Sequence, residues 1–130
     1  MRDVPIGTKG TYTAVVQPGH LANRFKDAIL PPVLATPVML LFMENAALNA
    51  LRPFLESGET AVGAGAEIRH LAATPVGQTV VAEATVTKID GRRIWFAISA
   101  RDETEQIGTG THERMLIDLE RFARRLAKKS

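Results

Sequence analysis

The segment from Leu34 to Leu51 constrains the fold of this chain more than any other stretch. It reads LATPVMLLFMENAALNAL, and apolar side chains occur on every face of the helix that it predicts. Thr36 followed by Pro37 is a helix start signal, because threonine caps free N–H groups and proline suits the first helical position. Pro53 ends the helix. With about 17 residues and Glu44 inside it, the segment predicts a helix buried within a protein rather than one that spans a membrane.

The chain length and composition predict one domain over residues 1–130. Apolar residues make up 45% and charged residues 23%, which is typical of globular proteins. Cysteine is absent, which excludes disulfides, a thiol nucleophile and a cysteine-based metal site. The first residues lead into a strand-like segment without the apolar stretch of a signal peptide, so we expect a cytoplasmic protein with no membrane contact.

The net charge is only +2, and much of the basic excess lies at the end of the chain. The residues concerned are Arg121, Arg124, Arg125, Lys128 and Lys129. A solvated terminal helix explains them, and nucleic-acid binding is the alternative. We expect no exposed aromatic side chain within this run, and the sequence contains no recognisable nucleic-acid-binding motif, so we expect no nucleic-acid partner. Weak attraction for a phosphate-bearing small molecule remains open.

Alternating apolar and polar residues predict five strands around the helix. They cover residues 8–17, 60–72, 78–89, 93–101 and 106–117. Asp90-Gly91 predicts a hairpin between the third and fourth strands. A long loop over residues 18–35 precedes the buried helix, with one short turn around Asn23–Ala28. A short amphipathic helix over residues 118–129 ends the chain.

The second strand carries the most informative alternation. One predicted face consists of Val62, Ala64, Ala66, Ile68 and His70. The opposite face consists of Gly63, Gly65, Glu67 and Arg69. The apolar face should pack on the buried helix, which would point His70 toward the side where Glu44 is expected.

Successive hairpins predict an antiparallel sheet curved around the central helix. This α+β layout, with a short C-terminal helix, is the hotdog fold. A single unit leaves a long sheet edge exposed and a pocket half built. We therefore expect a homodimer or a higher homo-oligomer.

The sequence resembles the hotdog-fold acyl-CoA thioesterases of the fluoroacetyl-CoA thioesterase type. The resemblance runs from about Pro5 to Leu126. The motifs that carry it are Ala35-Thr36, Met43-Glu44, Gly63 with His70, Gly91-Arg92-Arg93 and the run from Ile107 to Arg114, which reads IGTGTHER. It implies hydrolysis of a small acyl-CoA without a cofactor beyond the CoA of the substrate.

The same resemblance implies the site residues. Thr36, Glu44 and His70 match the catalytic trio, while Gly63 and Arg114 match residues around the acyl and leaving groups. Glu44 would attack the carbonyl or activate water, and the residues leave both routes open. Thr36 and the free N–H groups of the helix start would orient water or stabilise the developing oxyanion, and His70 would transfer protons.

The loop before the helix departs from the family pattern. Members specific for fluoroacetyl-CoA carry phenylalanines there that act as a lid and confer fluorine selectivity. The matching positions hold Asp27 and Leu30, and Phe25 is displaced. The sequence therefore favours a plain acyl thioester, with Leu30 and Phe25 as substrate contacts.

Two other functions fit the fold. A hotdog hydratase or dehydratase would act on an acyl thioester, but His70 on a strand beyond the helix argues against it. A non-catalytic acyl-CoA or metabolite sensor would have no need of Thr36, Glu44 and His70 together. The three histidines and scattered carboxylates show no metal-ligand spacing, so no metal is predicted. His112 alternates with Thr111 and Glu113 in the last strand, where we expect it to serve in packing or in a dimer contact.

Overall fold

A computed structural model describes all 130 residues of the chain. Eight helices and strands occur in chain order. They are β1 (Lys9–Val15), α1 (Ala22–Phe25), α2 (Thr36–Leu51), β2 (Glu59–His70), β3 (Thr79–Asp90), β4 (Arg93–Arg101), β5 (Gln106–Asp118) and α3 (Leu119–Ala127). The predicted short turn in the long loop corresponds to α1.

The five strands form one antiparallel sheet in the order β1-β3-β4-β5-β2. The sheet curls around α2, which packs against β1, β3 and β4. This is the predicted hotdog fold, with its central helix and short C-terminal helix. β1 and β2 are the two edge strands, so the strand that carries His70 has a free edge.

The predicted alternation in β3 and β4 is confirmed. Their inward-facing side chains are all at most 2% exposed, because the sheet covers them with α2. These are Val80, Ala82, Ala84, Val86, Ile94, Phe96, Ile98 and Ala100. Gly91 lies in the hairpin between the strands with a φ of 60°, a conformation that favours glycine.

One side of α2 is not covered within a single chain. Eight of its 16 residues are buried against the sheet. On the other side Leu41 is 49% exposed, and Glu44 and Leu48 are only half-buried. The helix is therefore central, as predicted, but its apolar surface extends beyond what one chain can bury.

The predicted alternation of β2 is wrong in its first half. The pairing of β2 with β5 shifts between Gly63 and Gly65, so that Ala64 is an extra residue in the strand. Before this bulge the inner and outer faces are the reverse of those predicted. Ala61 is 2% exposed and Gly63 faces Glu44, so both lie on the inner face. Val62 lies between them and therefore points to the outer face. After the bulge His70 points inward, as predicted.

Gly10 in β1 is the closest approach between the sheet and α2, and it generates a test of the fold. A Cβ atom at this position would lie 2.3 Å from both Ala46 O and Ala50 N, which are rigid backbone atoms. We expect Gly10→Ala to lower the free energy of unfolding by about 1–3 kcal/mol or more, measured by urea denaturation. Gly19→Ala is the matched control, because its Cβ would meet nothing within 4 Å. Equal stability of Gly10→Ala and wild type would contradict this packing.

Candidate active site

Thr36 and His70 form a hydrogen-bonded pair where α2 begins and β2 ends. Thr36 Oγ1 lies 2.8 Å from His70 Nδ1. The predicted capping role of Thr36 is wrong, because the helix starts one residue earlier. Ala35 is the N-cap, and its carbonyl oxygen accepts the first helical hydrogen bond from Met39 N at 3.0 Å. The hydroxyl of Thr36 therefore does not cap the helix and is hydrogen-bonded to the imidazole of His70.

His70 is held as a neutral imidazole. Its partial burial lowers its pKa below the usual 6.5, although the nearby backbone of Ala72 acts in the opposite direction. Its Nε2 atom is buried and has no hydrogen-bond partner. A buried polar atom without a partner is rare in proteins and is the kind of group that a bound ligand satisfies.

An open cleft of about 420 Å³ adjoins this pair. Apolar residues make up most of its lining, including Leu30 from the loop before α2, and Lys26 is its one basic residue besides His70. Phe25 does not line the cleft and is 53% exposed. Of the two loop residues predicted to contact substrate, only Leu30 lies beside Thr36 and His70.

Glu44 lies in a second group, around the middle of α2. Its Oε2 atom is 3.9 Å from Arg114 Nη1 of β5. A Cβ atom on Gly63 would lie 2.7 Å from the same oxygen, so the absence of a side chain there makes room for the carboxylate. Arg114 is 7% exposed, and its Nη2 donates to Ala61 O at 2.6 Å. Burial lowers the pKa of Arg114, which Glu44 partly offsets, and a guanidinium stays charged near neutral pH.

A single chain does not bring Glu44 to the Thr36–His70 pair. Eight residues of helix separate Thr36 from Glu44, which corresponds to about 12 Å. Gly63, beside Glu44, and His70 lie about 20 Å apart along β2. The expectation that His70 faces Glu44 is therefore wrong within one chain, where Thr36 is its partner.

His112 is a site residue that sequence reasoning assigned only to packing or a dimer contact. It is 2% exposed, and its ring bridges Gly65 O and Arg114. Burial lowers its pKa, the neighbouring Arg114 acts in the same direction, and the hydrogen bond to Gly65 O opposes both. The alternation of β5 could have revealed it, because His112 and Arg114 are two residues apart and share the inner face.

No cluster of three or more His, Cys, Asp or Glu side chains could hold a metal ion. No helix of the chain combines the length and the apolar character needed to cross a membrane.

Known proteins are similar to this chain over almost its whole length. A family model described as fluoroacetyl-CoA-specific thioesterase matches residues 16–120. The fluoroacetyl-CoA thioesterase of Streptantibioticus cattleyicolor is 38% identical, and the match covers 96% of this chain and 94% of that one.

Solved structures of thioesterases also superpose on almost the whole chain. A phenylalanine-to-alanine mutant of the fluoroacetyl-CoA-specific thioesterase superposes with a TM-score of 0.93, at 36% identity, over 100% of both chains. A Thermus thermophilus protein described as a thioesterase superfamily member superposes with a TM-score of 0.90, at 34% identity, over 99% of this chain and 97% of that one.

The two buried histidines predict how stability depends on pH. Both pKa values are lowered in the folded protein from the usual 6.5, so the unfolded chain binds protons more readily. The neutral rings contribute fully to the stability of the folded protein above pH 6.5, and this contribution is lost as the pH falls below 6.5. We expect the free energy of unfolding, measured in urea, to decrease between about pH 7 and about pH 5.5, with a smaller decrease in His70→Gln. A free energy that is constant or rises over this range would contradict the shifts.

Proposed function

Because the chain belongs to the family of fluoroacetyl-CoA-specific thioesterases and is an acyl-CoA thioester hydrolase, we propose that it cleaves a small acyl-CoA at Thr36, Glu44 and His70. The products are the free acid and CoA. The observation that carries the assignment of residues is the Thr36–His70 hydrogen bond at the wall of an open apolar cleft, with Nε2 of His70 unpartnered.

We place the complete site at the interface of a homodimer. Two features support this: β2 is an edge strand, and the uncovered side of α2 carries Thr36, Leu41 and Glu44. Dimers with two-fold symmetry pair the same surface on both protomers. If two β2 strands pair antiparallel around Ala66, His70 of one protomer lies opposite the Val62–Gly63 region of its partner. The carboxylate of Glu44 that belongs to that region would then complete the site.

The proposed chemistry uses each residue in a distinct role. Glu44 either attacks the thioester carbonyl or takes a proton from the water that attacks it. The C–S bond then breaks, and CoA leaves as a thiolate. The proton that the thiolate needs comes from the water: neutral His70 takes it up, on the direct route when that water hydrolyses the acyl anhydride on Glu44, and then passes it as an imidazolium to the sulfur. Thr36, through its free backbone N–H at the positive end of the α2 dipole, stabilises the negative charge that develops on the carbonyl oxygen.

We propose a short, unfluorinated acyl group as the substrate. Leu30 lines the cleft at the position where the fluorine-selective enzymes carry a lid phenylalanine, and Phe25 points elsewhere. A related enzyme has been crystallised as a threonine-to-serine mutant with acetyl-CoA, which indicates that this type of site accepts a two-carbon acyl chain. The reaction needs neither a nucleic-acid nor a membrane partner, and a cytoplasmic location stays a prediction.

Two substitutions test the catalytic assignment. We expect Glu44→Gln and His70→Ala each to lower kcat by about 100-fold or more, since each removes a group that transfers protons. Release of free thiol from acetyl-CoA and longer acyl-CoA esters measures this. Glu83→Gln is the matched control, because that carboxylate lies on β3 and pairs with Lys9 instead of reaching the site. Near-normal hydrolysis in both site variants would reject the assignment, and tight binding without thiol release by the wild type would identify a sensor.

Mixing two inactive variants tests the shared site. In a heterodimer of His70→Ala and Glu44→Gln, one of the two shared sites regains both native residues and the other loses both. Half of the dimers in an equal mixture are heterodimers, so about a quarter of wild-type activity should return after subunit exchange. If each site lay within one chain, the mixture would stay inactive.

A further inference from the structure

We propose that His112 is a positioning residue of this reaction. In its neutral, Nδ1-protonated form it fixes the orientation of Arg114, and Arg114 in turn fixes the position of the carboxylate of Glu44. The inference rests on the proposed function, because it concerns the same carboxylate. It assigns a role to a buried side chain that does not line the cleft.

The surroundings of His112 define its tautomer. Nδ1 lies 2.8 Å from Gly65 O, and a carbonyl oxygen can only accept, so Nδ1 carries the proton. Nε2 lies 3.2 Å from Arg114 Nη1, and a guanidinium can only donate, so Nε2 carries the lone pair. Both contacts are satisfied together by one species, the neutral imidazole protonated on Nδ1.

These contacts anchor Arg114 to both sides of the β2 bulge. Nη2 of Arg114 donates directly to Ala61 O, before the bulge, and Nη1 reaches Gly65 O, after it, through the ring of His112. Nε of Arg114 has no partner. The guanidinium is therefore oriented by Ala61 O, by His112 and by a longer hydrogen bond from Nη1 to the backbone oxygen of Glu44 at 3.5 Å. Nη1 is also the atom nearest to the carboxylate of Glu44, at 3.9 Å.

Protonation of His112 would break its hydrogen bond with Arg114. The ring would lose the lone pair that accepts from Arg114, and a second cation would stand 3.2 Å from the guanidinium. The charged groups that act on the ring are Arg114, Glu44 and Glu113, and the ring of Phe96 stacks on it at 5.9 Å between centroids. Glu44 and Glu113 favour the charged ring through space, but neither is hydrogen-bonded to it, and burial together with Arg114 outweighs them.

Two substitutions of His112 separate its acceptor role from its bulk. His112→Asn can still donate to Gly65 O but is too short to accept from Arg114, whereas His112→Gln can place an acceptor near Arg114. We expect His112→Asn to lower kcat by about 10- to 100-fold with KM nearly unchanged, since a displaced carboxylate costs turnover. His112→Gln should recover most of this loss. Thr111→Val is the control, because Thr111 precedes His112 on the exposed outer face of β5.

Several outcomes would overturn the inference. They are wild-type kcat in folded His112→Asn, equal losses in the Asn and Gln variants, or an effect on KM alone. Because proton-detected ¹⁵N spectroscopy of wild-type imidazoles reports the tautomer directly, the inference can be tested even if a variant fails to fold. A charged ring or an Nε2-protonated tautomer at neutral pH would also refute it. Failure of the proposed function is distinguishable, because it would show as full activity in Glu44→Gln.

Discussion

The close approach of the sheet to α2 is the constraint on which the rest of the structure depends. At three positions the sheet carries no side chain where the helix passes: Gly10 against the helix backbone, Gly63 against Glu44, and Gly108 against Met39 and Met43. Only such contacts allow a sheet of five strands to curl around one helix. The same contacts determine the height of α2 above the sheet, and hence the positions from which Thr36 and Glu44 project.

The polar groups around α2 are divided into an uncharged pair and a charged group. Thr36 and His70 share one neutral hydrogen bond at the start of the helix. Glu44 and Arg114 form an ion pair about two turns away, with Arg114 almost fully buried. Removing Glu44 would leave a buried guanidinium without a carboxylate, which is costly, whereas Glu44 itself is half-exposed, so the ion pair mainly stabilises the arginine.

The sequence predicted the regular parts of this arrangement and missed the irregular ones. Alternation over Val80–Val86 and over Ile94–Ala100 identified the inner face of two strands, because the one irregularity in their pairing, between Val86 and Lys88, follows the last of the first four inward residues. The inner face of β2 was assigned incorrectly, because the extra residue Ala64 exchanges the faces and leaves no mark in an apolar run of small residues. His112 was assigned only to packing or a dimer contact: the alternation of β5 puts it on the same face as Arg114, but no pattern along one strand reveals its partner Gly65 O on the next. The pairing of Thr36 with His70 is likewise a contact between residues 34 positions apart.

The position of the Thr36–His70 pair also affects how the site interacts with charge. Aligned peptide dipoles give the start of a helix about half a positive elementary charge, which disfavours an imidazolium and favours an anion. This dipole therefore acts on His70 in the same direction as burial. Hydrolysis of a thioester converts an uncharged acyl group into a carboxylate. The start of α2 consequently favours the anion that the reaction produces over the neutral group that it consumes.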